Sequence, residues 1–328
     1  MMNKTLKRLL FVVSFLVSIG VWGQGNDAYL ELHQPYFVGE LADRWQFPSD
    51  HLPRGATVGG FHIAFWNILN KKYLYHIEEN TQGLRYSSIL EDNIAVQPGD
   101  PLTVREMISG ELIIQMINHP THPRSLLGLQ EAHPDVQKYL KNRLPSYWTF
   151  ATPPDQPESQ DIFLYDSHVF EFVSLSAVKY SPRFPKTIFT ITLREKASNK
   201  LFRFVQSHIP GGPINSAEGC AKFSEEVMQQ YDPNITLVLM GDMNQSPDVI
   251  QNALEKAAEC KGIGQPFSYL PIAHPSHVNT HLEASWIDHF FVSVPEDIQI
   301  TASDFPGEIC EDLVPIVKLL NDFKIKGN

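Results

Sequence analysis

Cysteine is scarce in this chain of 328 residues, which contains only Cys220, Cys260 and Cys310. Three cysteines are too few for a fold held together by disulfides, and their spacing is not that of a zinc site. An odd number leaves at least one thiol unpaired, and the sequence does not define which two, if any, form a disulfide. Stability must therefore come from a hydrophobic core, which a chain of this length can form within one large domain.

Positive charge is also in deficit, with 26 Lys and Arg against 37 Asp and Glu and a formal net charge of −11. An acidic surface repels polyanions, so the composition does not favour an extended nucleic-acid track. A nuclease is still compatible with it, because a divalent cation bound in the site reverses the local field.

The longest apolar run, residues 9–22, follows three basic residues, Lys4, Lys7 and Arg8. This run is short for a transmembrane helix, and small residues before position 24 are typical of a signal-peptide cleavage site. We expect residues 1–23 to be a signal peptide and residues 24–328 to form a single secreted or periplasmic domain without a transmembrane anchor. An uncleaved amino-terminal anchor is the alternative.

Hydrophobic periodicity predicts a few helices among many short strands, with no internal repeat. Strands at hairpin spacing, with few helices between them, favour two packed sheets covered by helices on the outside. The predicted helices are 103–118, 135–144, 217–231 and 247–259, and the predicted strands are 61–66, 126–130, 161–165, 169–179, 187–193, 201–207, 235–240, 287–293, 297–302 and 314–319.

Polar side chains stand at the ends of several predicted strands. Residues 241–244 read Gly-Asp-Met-Asn after an apolar run, so Asp242 and Asn244 are expected on the same face of that strand end. Asn67, Glu131 and His208 follow other strands, and a further acid, Asp288, lies within the apolar segment 287–292. The carboxyl ends of strands are where α/β proteins place their chemistry, which makes these residues the candidate site.

This ordered set resembles the endonuclease/exonuclease/phosphatase superfamily, the metal-dependent phosphodiesterases and phosphatases related to pancreatic deoxyribonuclease. The resemblance covers about residues 59–320 and is most specific at Leu-Gln-Glu (129–131), Gly-Asp-Met-Asn (241–244) and Ile-Asp-His-Phe-Phe-Val (287–292). It implies an α/β fold, a four-layer α-β-β-α sandwich of two mixed sheets, with the site in a cleft at one end.

One motif of the family departs from its usual form. Near the end of the chain the family carries Ser-Asp-His-x-Pro, and the segment that we align with it places Asp312 at the acid and Leu313 at the histidine. A second alignment, on residues 303–306, also lacks the histidine. Because the family's Asp288 position orients that histidine, Asp288 is expected to lack its partner, unless His277 or His281 replaces it.

Phosphoester cleavage requires neutralised phosphate charge, an activated water and hydrogen-bond donors for the oxygens that gain charge. Hard oxygen ligands suit Mg²⁺ or Mn²⁺, so Glu131, Asn67 and Asp312 are the predicted metal ligands. Asp242 is expected to orient or deprotonate the attacking water and Asn244 to hold that water or a phosphate oxygen. The resemblance implies that His208 donates a hydrogen bond to the phosphate.

The sequence thus predicts an exported, monomeric hydrolase that acts on a small-molecule, phospholipid or nucleic-acid phosphoester. Residues 70–101 form a long, turn-rich connection beside Asn67, and we expect this inserted loop to lie over the cleft and to set substrate choice. The alternative is a catalytically silent member of the family that binds a phosphorylated ligand or a protein. Leu313 is the feature that favours this alternative.

Overall fold

The fold is described by a computed structural model of the chain. The description covers residues 49, 51, 53–68, 104–120, 122–154, 156, 159–181, 184–264, 266–270, 287–293 and 300–303. The predicted signal peptide, the 70–101 loop, the strand 314–319, and Asp312, Leu313, His277 and His281 lie outside these residues.

The strands of the described residues form two six-stranded sheets, and the first has the strand order β12-β1-β2-β3-β5-β4. Its central neighbours β2 and β3 are parallel, and the other strand pairs are antiparallel. The strands are β1 (Arg54–Val58), β2 (Phe61–Asn67), β3 (Arg124–Gln130), β4 (Trp148–Ala151), β5 (Ile162–Asp166) and β12 (Ile300–Ser303).

The second sheet has the order β10-β11-β9-β8-β7-β6 and the same plan, with one parallel pair, β8 and β9, among antiparallel neighbours. Its long hairpin of β6 and β7 forms one edge. The strands are β6 (Phe170–Ser181), β7 (Phe184–Glu195), β8 (Leu201–Ser207), β9 (Thr236–Asp242), β10 (Ser268–Tyr269) and β11 (Asp288–Ser293).

Four helices of the described residues complete the layers: α1 (Val104–Ile117), α2 (Pro134–Arg143), α3 (Pro213–Gln230) and α4 (Pro247–Cys260). Helix α1 connects the parallel strands of the first sheet and α3 those of the second, as parallel neighbours require a crossover. None of these helices is both long and apolar enough to cross a membrane.

Three apolar cores fill the spaces between the layers. One packs α1 and α2 against the first sheet, around Trp66 and Leu129. The second lies between the sheets and contains Phe65, Phe163 and Phe204. The third packs α3 and α4 against the second sheet. The layer order is therefore helix, sheet, sheet, helix, which confirms the expected sandwich of two mixed sheets.

The sequence predicted all four of these helices and nine of the described strands, to within a few residues at their ends. It missed β1, β4 and β10. Strand β10 has two residues and β4 has four, which is too short for a clear alternation. Strand β1 reads Arg-Gly-Ala-Thr-Val, in which glycine and alanine weaken the strand signal.

Aromatic rings close one end of the sandwich. Phe61, the first residue of β2, lies with its ring centroid 4.9 Å from those of Phe170 and Phe202, and Phe204 stacks beside Phe202 at 6.4 Å. All four side chains are buried. We call this group, Phe61, Phe170, Phe202 and Phe204, the aromatic end.

The two cysteines in the described part of the chain are not paired in a disulfide. Cys220 is buried on α3, and burial raises the pKa of its thiol to about 11. Cys260 is exposed at the end of α4. The pairing of these two with each other, which the sequence left open, is therefore excluded in this structure.

Candidate active site

The carboxyl ends of both parallel strand pairs lie at the end of the sandwich opposite the aromatic end. In the first sheet, Asn67 is paired with Gln130, and Glu131 follows directly. In the second, His208 follows β8, Asp242 ends β9, and Asp288 lies opposite Asp242 on β11. We call the group Asn67, Glu131, His208, Asp242 and Asp288 the polar end. Five of the predicted site residues are thus brought together.

Asp242 is the centre of the polar end. Asn67 Nδ2 donates to its Oδ2 at 3.3 Å, and His208 Nε2 is 3.1 Å from the same oxygen. Burial alone would raise the pKa of Asp242, but the positive charges of His208 and His51 outweigh burial and hold the pKa of this carboxyl well below its usual range. Asp242 is therefore ionised at neutral pH, as an acceptor for a proton or a ligand for a cation must be.

His208 lies between Asp242 and Glu131. Its Nδ1 is 3.7 Å from Glu131 Oε1, while its Nε2 contacts both Asp242 and the ammonium group of Lys186. The ring is buried. Lys186 comes from β7, so the hairpin of β6 and β7 brings a positive charge to the polar end that the sequence analysis did not identify.

Glu131 and Asn244 have left-handed backbone conformations, with φ of 58° and 49°. Non-glycine residues avoid this region, and such strain accumulates at functional sites. The backbone N–H of Asn244 donates to Asp242 Oδ1 at 3.0 Å, and the side-chain Nδ2 of Asn244 donates to Ile209 O at 2.8 Å. Because β9 ends at Asp242, the expectation that Asp242 and Asn244 share a strand face is wrong, and Asn244 instead fixes the turn after His208.

Two glutamines join the sheets beneath these groups. The backbone N–H of Asp242 donates to Gln130 Oε1 at 2.9 Å, and Gln206 Nε2 donates to Leu129 O at 2.7 Å. Gly241, with φ of 141°, lets the strands approach this closely, because a Cβ there would lie 2.0 Å from Ser207 O. At the polar end, hydrogen bonds between the sheets thus add to the apolar packing of the core, in which the ring centroid of Phe65 lies 5.1 Å from that of Phe290.

Asp288 has an imidazole partner, contrary to the expectation from Leu313. His51 Nδ1 lies 2.9 Å from Asp288 Oδ2, and both side chains are buried. With Nδ1 held by the carboxylate, His51 Nε2 points toward Asn67 Nδ2 at 3.3 Å and Asp242 Oδ2 at 3.7 Å. The next residue along β11, His289, has its side chain on the other face of the strand and contacts Gln245 O at 2.8 Å.

A further carboxyl, Asp161, lies beneath Glu131 at the start of β5. Burial raises its pKa above the ordinary value, although the charges of His208 and Lys186 lower it, and the backbone N–H of Glu131 donates to it. Sequence reasoning missed Asp161 and Lys186, since a single charged residue at the edge of a strand carries no distinguishing pattern.

His51 was also missed, although a signal for it is present. Residues 49–53 read Ser-Asp-His-Leu-Pro, which matches the Ser-Asp-His-x-Pro motif that the family carries near the other end of the chain. An alignment in the family's order does not reach it, because it stands at the opposite end of the chain from its usual position. Asp312, the third predicted metal ligand, lies outside the described residues.

The donor groups of the polar end fit a divalent cation. Glu131, Asp242 and Asp288 bring three carboxylates into a buried region, and buried carboxylates require compensating positive charge. Carboxylate and amide oxygens, as on Glu131 and Asn67, suit Mg²⁺ or Mn²⁺. His51, Asp242 and Asp288 offer a second set, with ligand atoms within 4.8 Å of one another.

The sandwich and its strand-end residues agree with the endonuclease/exonuclease/phosphatase superfamily that the motifs resemble. No protein-family model matches the sequence, and no curated protein does. The chain is similar in fold to an endonuclease/exonuclease/phosphatase family protein from Bacteroides thetaiotaomicron, at 16% identity and a TM-score of 0.46, over 73% of this chain and 84% of that one.

Two further solved structures are similar. One is a mannosyl-6-phosphatase from Bacteroides thetaiotaomicron, at 16% identity and a TM-score of 0.47, over 70% of this chain and 84% of that one. The other is D. rerio TDP2 in complex with a single-stranded DNA product, at 13% identity and a TM-score of 0.45, over 61% and 82%. At these identities the similarity is one of fold.

Proposed function

We propose that this protein is an exported phosphoester hydrolase that depends on Mg²⁺ or Mn²⁺. The observation that carries the proposal is the convergence of Asn67, Glu131, His208 and Asp242 at one buried end of the two sheets. Asp242 lies there within hydrogen-bond distance of Asn67 and His208, and Glu131 lies 3.7 Å from His208. Such a set meets the three requirements of phosphoester cleavage.

The residues divide by what each can do. Glu131 and Asn67 would hold the cation, which when bound neutralises phosphate charge and lowers the pKa of water. Asp242, kept ionised by its histidine neighbours, would accept the proton of the attacking water or orient that water. His208 would donate to a phosphate oxygen, and Lys186 would add positive charge beside it.

The substrate that we propose is a small or lipid-derived phosphoester and not a long nucleic acid. The net charge of −11 opposes association with an extended polyanion, whereas one phosphate group interacts mainly with the site itself. The alternative function is that of a catalytically silent protein that binds a phosphorylated ligand or a protein. It depended on Asp288 lacking an imidazole, and the contact with His51 removes that reason.

Hydrolysis of bis(4-nitrophenyl) phosphate by the purified protein tests the proposal. We expect release of nitrophenol with Mg²⁺ or Mn²⁺, abolished by a chelator and by Asp242→Asn. Asp166→Asn is the matched control. Asp166 is partly exposed and is the last residue of β5, at the opposite end of that strand from the polar end. If neither metal supports activity on this ester or on a panel of phospholipids, sugar phosphates and nucleic acids, the protein is not a hydrolase and the silent binding function is the better proposal.

A further inference from the structure

The segment that precedes β1 contains every fixed position of the motif that the family carries near its end. Ser49, Asp50, His51 and Pro53 match Ser-Asp-His-x-Pro, and a strand of the sheet follows directly. The alignment at 311–315 matches only the acid and the proline. The motif is therefore complete in this chain. It precedes the region that resembles the family, residues 59–320, whereas the family carries it near the end of that region.

The sheet accommodates this change of order. Strand β1 lies between β12, the last described strand, and β2, and it pairs antiparallel with both. The two residues Gly59 and Gly60, with φ of 57° and 93°, turn the chain from β1 into β2. Two central residues with positive φ are typical of the tightest hairpins, in which glycine is favoured. Strand β1, which would be the last strand of the family's sheet, thus leads directly into β2, which would be the first.

Several hydrogen bonds fasten this segment to the polar end. Ser49 Oγ donates to Asn67 O at 2.6 Å and accepts from the His51 amide at 3.1 Å. Trp66 Nε1 donates to His51 O at 2.9 Å, and Arg54 Nη1 donates to Asp288 O at 3.2 Å. The backbone on both sides of His51 is therefore fixed against β2 and β11. The position of the imidazole thus depends on these contacts as well as on its own hydrogen bond to Asp288.

We propose that residues 49–58 are the family's closing motif and strand, relocated to the front of the domain by circular permutation, and that His51 is a catalytic residue. Asp288 holds Nδ1, which directs Nε2 to the place where Asn67 and Asp242 meet and where a phosphate oxygen would be bound. The imidazole expected at Leu313 is supplied by His51, and Leu313 has no part in the reaction. This inference rests on the proposed function.

Full-length variants test the role of His51 with Mn²⁺ and bis(4-nitrophenyl) phosphate. His51→Ala, His51→Gln and Asp288→Ala should each lower kcat by about a hundredfold or more, the scale of a positioned acid–base or donor group. The double variant His51→Ala/Asp288→Ala should be no worse than the poorer single variant by more than about twofold, because the pair acts as a unit. Calorimetric Mn²⁺ affinity should be retained.

Two control variants make the assignment specific. His62→Ala removes a half-buried histidine that lies toward the other end of β2 and is bonded to Thr57, so kcat should stay within about twofold. Leu313→His should also leave kcat unchanged. The inference is overturned if His51→Ala and His51→Gln keep wild-type turnover, if Leu313→His accelerates the reaction, or if His51→Ala abolishes Mn²⁺ binding, which would make His51 a metal ligand.

A second measurement does not require activity. In ¹⁵N-histidine-labelled protein, the Nδ1–H signal of His51 is identified by its loss in His51→Ala. It should be lost or strongly shifted in Asp288→Ala and retained in His62→Ala. If the wild type hydrolyses no phosphoester, the proposed function fails, and this signal still decides whether segment 49–53 occupies the closing-motif position. A His51 signal unaffected by Asp288→Ala contradicts the relocation.

Discussion

The polar end and the aromatic end are built from the same strands but carry opposite kinds of side chain. Strand β2 runs from Phe61 to Asn67, and β8 has Phe202 near its start and His208 after its end. At one end the sheets are joined by packed rings, at the other by hydrogen bonds among buried polar groups. Because apolar burial is the larger source of stability, the aromatic end should stabilise the fold and the polar end should perform the chemistry.

The largest expected effect is at the aromatic end. Phe202 is fully buried against Phe61. The rise per residue of a strand places it about 20 Å from His208 along β8. Phe202→Ala should lower the free energy of unfolding by about 3–5 kcal/mol, the usual cost of a large cavity. Denaturant unfolding measures this loss, and kcat of the folded variant should stay near that of the wild type. A large fall in kcat would mean that the two ends are coupled.

Asp242→Asn should have the complementary effect. It removes the charge at the centre of the polar end but preserves the volume of the side chain, so turnover should fall by about a hundredfold or more while Mn²⁺ affinity is retained. Its unfolding midpoint should fall less than that of Phe202→Ala. Steady-state kinetics with thermal unfolding checks both, and an active Asp242→Asn protein would exclude this carboxylate as the proton acceptor.

Glycines at the two ends provide a third comparison. An added Cβ at Gly241 would collide with Ser207 O, whereas none of the surrounding atoms comes within 4 Å of one at Gly60. Both have positive φ, so each alanine costs about 1–3 kcal/mol of backbone strain. Gly241→Ala should also displace Asp242 and lower kcat, but Gly60→Ala should alter only stability. Equal kinetic effects would show that the close approach at Gly241 does not position the site.

The smallest effects should be gains in stability. Glu131 and Asn199 both have a left-handed backbone, with φ of 58° and 59°, but Asn199 lies in the turn between β7 and β8 beside the aromatic end. Replacing either with glycine should stabilise the protein by about 0.5–1 kcal/mol. Glu131→Gly should abolish activity and Asn199→Gly should preserve it. No gain at either position would mean that the left-handed conformation carries little strain there.

The sequence predicted most of the secondary structure and part of the polar end. Periodicity identified the helices, and short apolar runs identified the long strands, several of which are buried on both faces. The motifs identified Asn67, Glu131, His208, Asp242 and Asp288, since a polar residue after an apolar strand stands out. Lys186 and Asp161 could not be predicted, because their place in the site depends on strand pairings that join distant parts of the chain.

His51 illustrates a different difficulty. Its motif is local and complete, but its role depends on contact with a residue 237 positions away, Asp288. An alignment that assumes the family's order directs attention to Leu313, at the wrong end of the chain. The short, weakly patterned strand β1 gave no warning that a sheet strand begins there. Topology, and not residue type, was the missing information.

Calorimetric titration with Mn²⁺ tests most directly whether the polar end is a divalent-cation site for phosphoester hydrolysis. The wild-type protein should bind Mn²⁺, and Glu131→Gln, which keeps the size of the side chain but removes its charge, should weaken binding by about tenfold or more. The Asp166→Asn control should bind as the wild type does. Unchanged Mn²⁺ affinity in Glu131→Gln, or no binding by the wild type, would contradict the account.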